Sequence, residues 1–534
     1  MSDADFKKLL EVLIPLVSSH AVDAFQLHNF KDFQKFIRTR GTKEFTNKCY
    51  EGFKIAQESI VKNLLVIESE IETYKEKLSF YKKGKKIKQL SKDKQYIELV
   101  NSLNKLILQR ATIHEVANVI VWTIYLEDRT VIKSFIQKDG NSGYLKDRNI
   151  ESLVEYANKQ NQKEGKFALI HDITSTLNIG DLTIVEGGGR TIAEMKSGGR
   201  VEEIISTVLD KLSNQENKLS KSDVELLEPL YFEFGKAGLQ QLKRSVKQLY
   251  KMSNVVNYEK TGKMMDEDLK REKRIVEILE PDKDFGMLIN LALEDLYNSQ
   301  KEYIVIPLDT YIVGIFRRKI NESESSNKMN FRHYVYHLTE KPWEKCDYIN
   351  LADFPPDRPI EYILYHDFRI YSLRDKVFFP THRPIFSILK SRYAIELIMG
   401  NVDIYIYFDH DRFVEMCKEK KLPVRWQSKK EILKESKDHS FISNFPLFKG
   451  NLLSVGPPDN EMTMGYGILF RMIYEFQSGY NVIDQMKEGR WINKYTKLSE
   501  ARLRLRRFIE NTKRMLLRLF YKAVLTIRGQ PNKF

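Results

Sequence analysis

Cysteine is scarce in this chain of 534 residues: Cys49, Cys346 and Cys417 are the only three, far apart and without paired spacing. That excludes a disulfide framework and a zinc knuckle, leaving core or surface thiols. No apolar run approaches the roughly 18 residues a membrane span needs, and the first residues do not read as a secretory leader. The expectation is a cytoplasmic protein with no membrane attachment. A Walker loop, a dinucleotide fingerprint and a repeat of solenoid period are also missing, so ATP is not expected as a ligand.

The composition is that of a folded protein with room for two to four domains. Its net charge is +14. A basic balance suits a polyanion partner once the charge is clustered, and two clusters stand out. Lys82, Lys83, Lys85, Lys86 and Lys88 form one, and residues 502 to 528, with Glu510 as their single acid, form the other. Such groups supply salt-sensitive phosphate contacts, or they are solvated helix faces kept soluble by charge.

The most informative stretch runs from Gly180-Asp181 through Leu182 to Val185, a turn at Glu186-Gly187-Gly188-Gly189, then Arg190 to Ala193 and Glu194-Met195-Lys196. Both arms are rich in β-branched and apolar residues, and the glycines supply the positive φ a tight turn demands. A four-residue loop sets Val185 against Arg190 and, four pairs on, Asp181 against Glu194. Facing carboxylates repel unless a cation lies between them. Lys196, two residues beyond Glu194, shares its face of the strand. The bland alternative is an exposed hairpin with ordinary surface charges.

An Asp followed on the next strand by Glu-x-Lys resembles the PD-(D/E)XK nuclease superfamily, over Gly180 to Gly198. The resemblance implies that Asp181 and Glu194 bind a divalent metal, that the Met195 carbonyl assists, and that Lys196 positions or activates the attacking water. Gly180 stands where the family name has proline. Independently of the family, a carboxylate-bound hard cation both neutralises a non-bridging phosphate oxygen and makes water nucleophilic. All-oxygen ligands favour Mg2+ or Mn2+ over zinc. A neighbouring lysine can orient that water or accept its proton.

The rest of the chain is read around this hairpin. Ile60, Leu64, Ile67, Ile71, Tyr74 and Leu78 recur in steps of four and three, and Ile97, Val100, Leu103 and Ile107 resume the rhythm. This predicts an antiparallel helical pair with a lysine-rich tip at residues 82 to 88, packed on earlier helices around Phe6 to Leu16 and Phe33 to Phe53. A helix at about residues 149 to 161, capped by Asn149, and a strand at Phe167 to Ile170 precede the hairpin. Glu155 on that helix is preferred over Glu151 as a further carboxylate for the metal. A helix over Gly238 to Tyr250 offers Gln240 and Arg244 to phosphate or metal-bound water, and an insertion at about residues 200 to 236 has to precede it. Tyr303 to Ile306 and Tyr311 to Phe316 read as strands that extend the sheet. Residues 321 to 327 are polar and linker-like, and an aromatic, basic stretch from Arg358 to Phe386 follows, read as core or as a base-stacking surface. His333 and His337 are set aside as strand residues, and Asp409-His410-Asp411 as turn residues.

The fold class expected is mixed α/β: a helical domain (1–108), a restriction-endonuclease-like αβββαβ core (109–320) and a mixed α/β domain (321–534) ending in a basic helix. The expected activity is metal-dependent hydrolysis of phosphodiester bonds in DNA, favoured over RNA by the family's habits, in bacterial restriction or anti-phage defence. Partners in view are nucleic acid, a second copy of the chain, or a defence-system protein. The alternatives are a repair or recombination nuclease, a silent nucleic-acid-binding or assembly protein on the same scaffold, and a helical adaptor.

Overall fold

The computed structural model describes residues 1–27, 30–83, 90, 92–135, 145, 150–193, 251–252, 255, 263–266, 271–274, 284–299, 301–317, 370–373, 382–428, 430–432, 452–456 and 461–487. These are mixed α/β, with helices beside small antiparallel sheets. No helix among them is long and apolar enough to cross a membrane. The chain divides into two units, one holding Met1 and residues 19–275, the other residues 2–18 and 276–534. The N-terminal helix α1 (Asp3–Ser18) thus belongs with the second unit.

The first unit begins with α2 (His20–Ala24) and the long α3 (Phe30–Lys82), interrupted at Gly41, whose φ of 82° is not helical. Its partner is α4 (Lys94–Ile124), started by Asp93, whose carboxylate accepts from the Gln95 and Tyr96 amides. Their antiparallel course is fixed near the tip and again part-way along. Tyr81 stacks on Tyr96, while Met1 bonds to Glu70 through its amino group and to Gln109 through its carbonyl.

The expected seam of α3 is buried at Ile60, Leu64, Ile67, Ile71 and Leu78. That of α4 requires correction. Ile97 and Ile107 are exposed, and the buried face is instead Leu106, Ile113, Val116, Ala117 and Ile120. The apolar rhythm near the arm's tip outruns the surface there is to cover it. The pairing expected with Phe6 to Leu16 is also corrected, since α1 packs on a helix of the second unit.

Next come α5 (Arg129–Phe135), α6 (Ile150–Asn161), β1 (Lys166–Ile170), β2 (Leu182–Glu186) and β3 (Gly189–Ala193). The strands form an antiparallel sheet in the order β1-β2-β3. Its β1 edge is not left bare. Gln57 of α3 donates to the Ala168 carbonyl (2.9 Å) and accepts from the Ile170 amide (3.0 Å), and Asn161 of α6 accepts from the Ala168 amide (2.7 Å). Side-chain amides thus replace a fourth strand, and Phe53 packs on Phe167 beside them. Residues on both sides of the expected 108/109 boundary therefore share one unit. A two-stranded pair, β4 (Lys263–Asp266) and β5 (Arg271–Arg274), completes its described strands.

In the second unit, α7 (Gly286–Asn298), β6 (Tyr303–Pro307), β7 (Tyr311–Arg317), β8 (Ile370–Ser372), α8 (Ser391–Met399) and β9 (Val402–Phe408) surround an antiparallel sheet ordered β6-β7-β9-β8. β9 is buried at every position, as a central strand must be. The two strands expected to extend the hairpin's sheet are β6 and β7, and they pair here instead. Tyr311 to Arg317 is already matched residue for residue with Phe408 to Val402, which leaves its backbone no edge for β3. α1 packs on α8, with Lys7 2.8 Å from Glu396. Asp409 caps α9 (His410–Glu419) by accepting from the Arg412 amide, so it serves as a structural cap. A small sheet of β10 (Val424–Trp426), β11 (Leu453–Val455) and β12 (Met462–Thr463), then α10 (Tyr466–Tyr474) and α11 (Gly479–Lys487), end the described chain.

Candidate functional site

The hairpin of β2 and β3 is present and its register is the expected one: Val185 faces Arg190, Ile184 faces Thr191, Thr183 faces Ile192 and Leu182 faces Ala193. The turn is tighter than expected. Pairing reaches Glu186 and Gly189, leaving a two-residue turn at Gly187 and Gly188, with φ of 56° and 85°. Nothing lies within 4 Å of a Cβ added at either glycine, so the turn's dihedrals, and not space, call for glycine.

Asp181 stands at the entry to β2, half-buried. Its amide donates to the Ala193 carbonyl and its carbonyl accepts from the His171 amide, both at 2.9 Å. Gly180 before it has φ of 76°, and a Cβ there would fall 2.6 Å from Ile192 Cγ2. Proline is locked near a φ of about −65° and cannot occupy that position. Glycine is therefore what this backbone requires at position 180.

The segment joining β1 to β2 is held by a buried polar network that the sequence reading missed. His171 is fully buried; its Nδ1 lies 2.9 Å from the Gly180 carbonyl and its Nε2 2.7 Å from Thr183 Oγ1. Those partners assign the tautomer, with Nδ1 donating to the carbonyl and Nε2 accepting from the hydroxyl. Burial pushes the imidazole pKa down to about 4, against the pull of the carbonyl bonds. The ring is accordingly neutral at physiological pH. Tyr125 hydroxyl lies 3.0 Å from the same Thr183 oxygen.

One helical face of α4 supplies the rest. His114 Nδ1 donates to the Ile173 carbonyl (2.8 Å), and burial pushes this ring's pKa down to about 4 as well. Asn118 accepts from the Ser175 amide (3.1 Å) and the Thr176 hydroxyl (2.8 Å) and donates to Ser175 Oγ (2.7 Å) and Glu115 (3.0 Å). Four bonds exhaust its amide. The only signal for this in the sequence was a polar interruption, His114-Glu115 and Asn118, in an otherwise apolar run, together with the hydroxyl-rich Thr174-Ser175-Thr176. Arg190 fastens the hairpin to the end of the same helix. Its guanidinium donates to the Ile124 carbonyl (2.9 Å) and lies 5.1 Å over the Tyr125 ring.

Of the expected site residues, Asp181 and Glu155 are described, the latter exposed on α6. Glu194, Met195, Lys196, Gln240 and Arg244 lie outside the described residues, as do the linker-like stretch, His333, His337, Cys346 and the basic segment at 502–528. Among the described residues no three His, Cys, Asp or Glu side chains gather to hold a metal. From the aromatic, basic stretch, His382, Arg383 and Phe386 are buried, which favours its reading as core. Burial pushes the Cys49 and Cys417 thiols up to about 12, so neither is a thiolate near neutrality. Comparisons with family models, with curated proteins and with solved structures return no match for this chain.

Proposed function

We propose that the chain is a divalent-metal-dependent endonuclease acting on DNA, in bacterial restriction or anti-phage defence, with its site at the open end of the β2–β3 hairpin. The observation that carries this reading is the hairpin register. Leu182 pairs with Ala193, and Glu194 and Lys196, one and three residues on in the sequence, lie outside the described residues; a strand continued in that register would bring Asp181 and Glu194 to the same end of the hairpin. The Asp181 amide bonds to the Ala193 carbonyl, one residue off that register, a bulge-like offset that keeps Asp181 at the hairpin's open end. Two carboxylates so placed favour a cation between them.

In this reading Asp181, Glu194 and the Met195 carbonyl hold Mg2+ or Mn2+. The ion supplies charge neutralisation at the phosphate and a water acidic enough to attack it. Lys196 orients that water. The restriction-endonuclease-like αβββαβ arrangement, of which α6 and β1 to β3 supply the order αβββ, belongs to the same proposal.

The deciding experiment compares purified protein with Lys196→Ala on plasmid, linear duplex, single-stranded DNA and RNA, each with Mg2+, Mn2+ or chelator. Cutting that needs both the metal and Lys196 is the expected result. Equal cutting by the two proteins rules out the assignment of Lys196. Cutting by neither, with no Mg2+ or Mn2+ bound in calorimetry, leaves the hairpin as scaffold.

A further inference from the structure

Lysines crowd one end of the α3–α4 pair. Among the described residues from 75 to 94, Lys75, Lys77, Lys82, Lys83, Lys92 and Lys94 stand against two acids, Glu76 and Asp93. Asp93 is turned to structural use, accepting from Tyr81 hydroxyl at 2.8 and 2.9 Å and from two amides of α4. Lys75, Lys77, Lys82, Lys83 and Lys94 are exposed, with Lys77 Nζ 5.3 Å from the Tyr74 ring centroid and Lys82 Nζ 5.9 Å from that of Tyr96. In their midst Phe80 is 76% exposed, with Lys83 Nζ 5.9 Å from its ring centroid. Among the exposed large apolar side chains of the described residues Phe80 is the most open, the next being Val12 at 59%. Cations beside an open aromatic face are what a nucleic-acid strand requires, phosphates meeting the ammonium groups and an unpaired base stacking on the ring.

The position of this patch gives it a role. Gln57 marks the level at which α3 meets β1, and α3 runs unbroken for 25 residues from there to Lys82. At a rise of about 1.5 Å per residue, the tip stands about 37 Å along the helix from the sheet. That span equals about 11 base pairs of duplex.

We infer that the tip of the α3–α4 arm is a second nucleic-acid contact, remote from the hairpin, at which lysines hold the phosphate backbone and Phe80 stacks on an unpaired base. The inference rests on the nuclease reading for taking nucleic acid as the ligand. It adds where the strand is held and how long a substrate must be to reach both places.

The test is fluorescence anisotropy in chelator, so that nothing is cut, with labelled single-stranded and duplex DNA of about 30 nucleotides or base pairs across a salt series. The triple variant Lys77→Gln, Lys82→Gln, Lys83→Gln should bind both at least about tenfold more weakly, with a slope of log K against log salt smaller by about two to three. Phe80→Ala should weaken the single strand at least about fivefold and spare the duplex, because only an unpaired base stacks on the ring. These are exposed positions, and matching melting curves confirm that fold is kept. Affinity and salt slope equal to the parent in the triple variant overturn the inference, as does failure of the parent to bind either DNA. DNA held through the arm by a protein that cuts nothing and binds neither Mg2+ nor Mn2+ keeps the inference and sinks the nuclease reading. In a protein that cuts, the triple variant should lose rate only on duplexes longer than about 11 base pairs.

Discussion

His171 and Asp181 are locked together through the main chain, the His171 amide donating to the Asp181 carbonyl at 2.9 Å, while the same residue's ring holds Gly180 and Thr183 on either side. The imidazole is buried and neutral, as is that of His114, each with a pKa pushed down to about 4 from an ordinary 6.5. An unfolded chain protonates these rings first, so folding stability from them is present above pH 6.5 and is lost as pH falls toward 4. Each ring contributes a slope of up to about 1.4 kcal/mol per pH unit in that window. Melting temperature should therefore drop between pH 6.5 and 4, and His114→Gln should flatten that drop. A variant whose melting temperature falls as steeply as the parent's would show that His114 is not buried neutral.

Gly180 tests the same corner by geometry. Gly180→Ala places a side chain at positive φ and a methyl carbon 2.6 Å from Ile192 Cγ2. The two costs, backbone strain and overpacking, sum to about 2 to 4 kcal/mol. Chemical denaturation should register that loss, whereas Gly187→Ala, strained but with open space around it, should cost less. Equal losses at the two sites would mean that Ile192 moves aside freely.

The hairpin was legible in the sequence because its information is local. Period-2 apolar arms around glycines set the pairing of Val185 with Arg190, though the turn itself closed tighter, at Gly187 and Gly188. The sheet's other boundaries were not legible. Gln57 closes the β1 edge from 111 residues away in sequence, and the strand at Tyr311 to Arg317 finds its partner in Val402 to Phe408, across almost ninety residues. Such choices depend on what else is buried nearby, which no spacing encodes. At the candidate site, Asp181 was legible as the residue that enters the hairpin after Gly180, while His171 and Asn118 were not, since a buried polar side chain reads as a surface one until its partners are known.

Gln57 should matter as much as a core residue. Gln57→Leu removes a donor and an acceptor together and strands the Ala168 carbonyl and the Ile170 amide, at a cost of about 2 to 4 kcal/mol. Hydrogen exchange followed by mass spectrometry on a peptide covering residues 166–170 should speed up markedly. Unchanged protection there would mean that water replaces the side chain at no cost.

Glu475 makes the comparable prediction for the second unit. Its carboxylate is fully buried and accepts from the Arg383 amide (3.0 Å), from Gln477 (3.1 Å) and from His382 (3.2 Å). Glu475→Ala leaves those donors facing a cavity and should destabilise by about 3 to 5 kcal/mol. Glu475→Gln keeps the volume and one acceptor oxygen, so it should cost less by thermal melting. If alanine is tolerated, His382 and Arg383 have other partners to turn to.

Asp181 separates stability from chemistry more sharply than any other position. Its amide and carbonyl bond to Ala193 and His171, and Asp181→Asn leaves both bonds intact. The half-buried side chain stays the same size while losing its charge. Stability should fall by no more than about 1 to 3 kcal/mol, the scale of one altered polar contact. Metal-dependent cleavage should fall by about 100-fold or more, because an amide is a poor ligand for a hard cation. Calorimetry with Mn2+ completes the argument: affinity lost in Asp181→Asn with cooperative melting kept places the ion at this carboxylate. Affinity kept would move the metal elsewhere and remove Asp181 from its ligands.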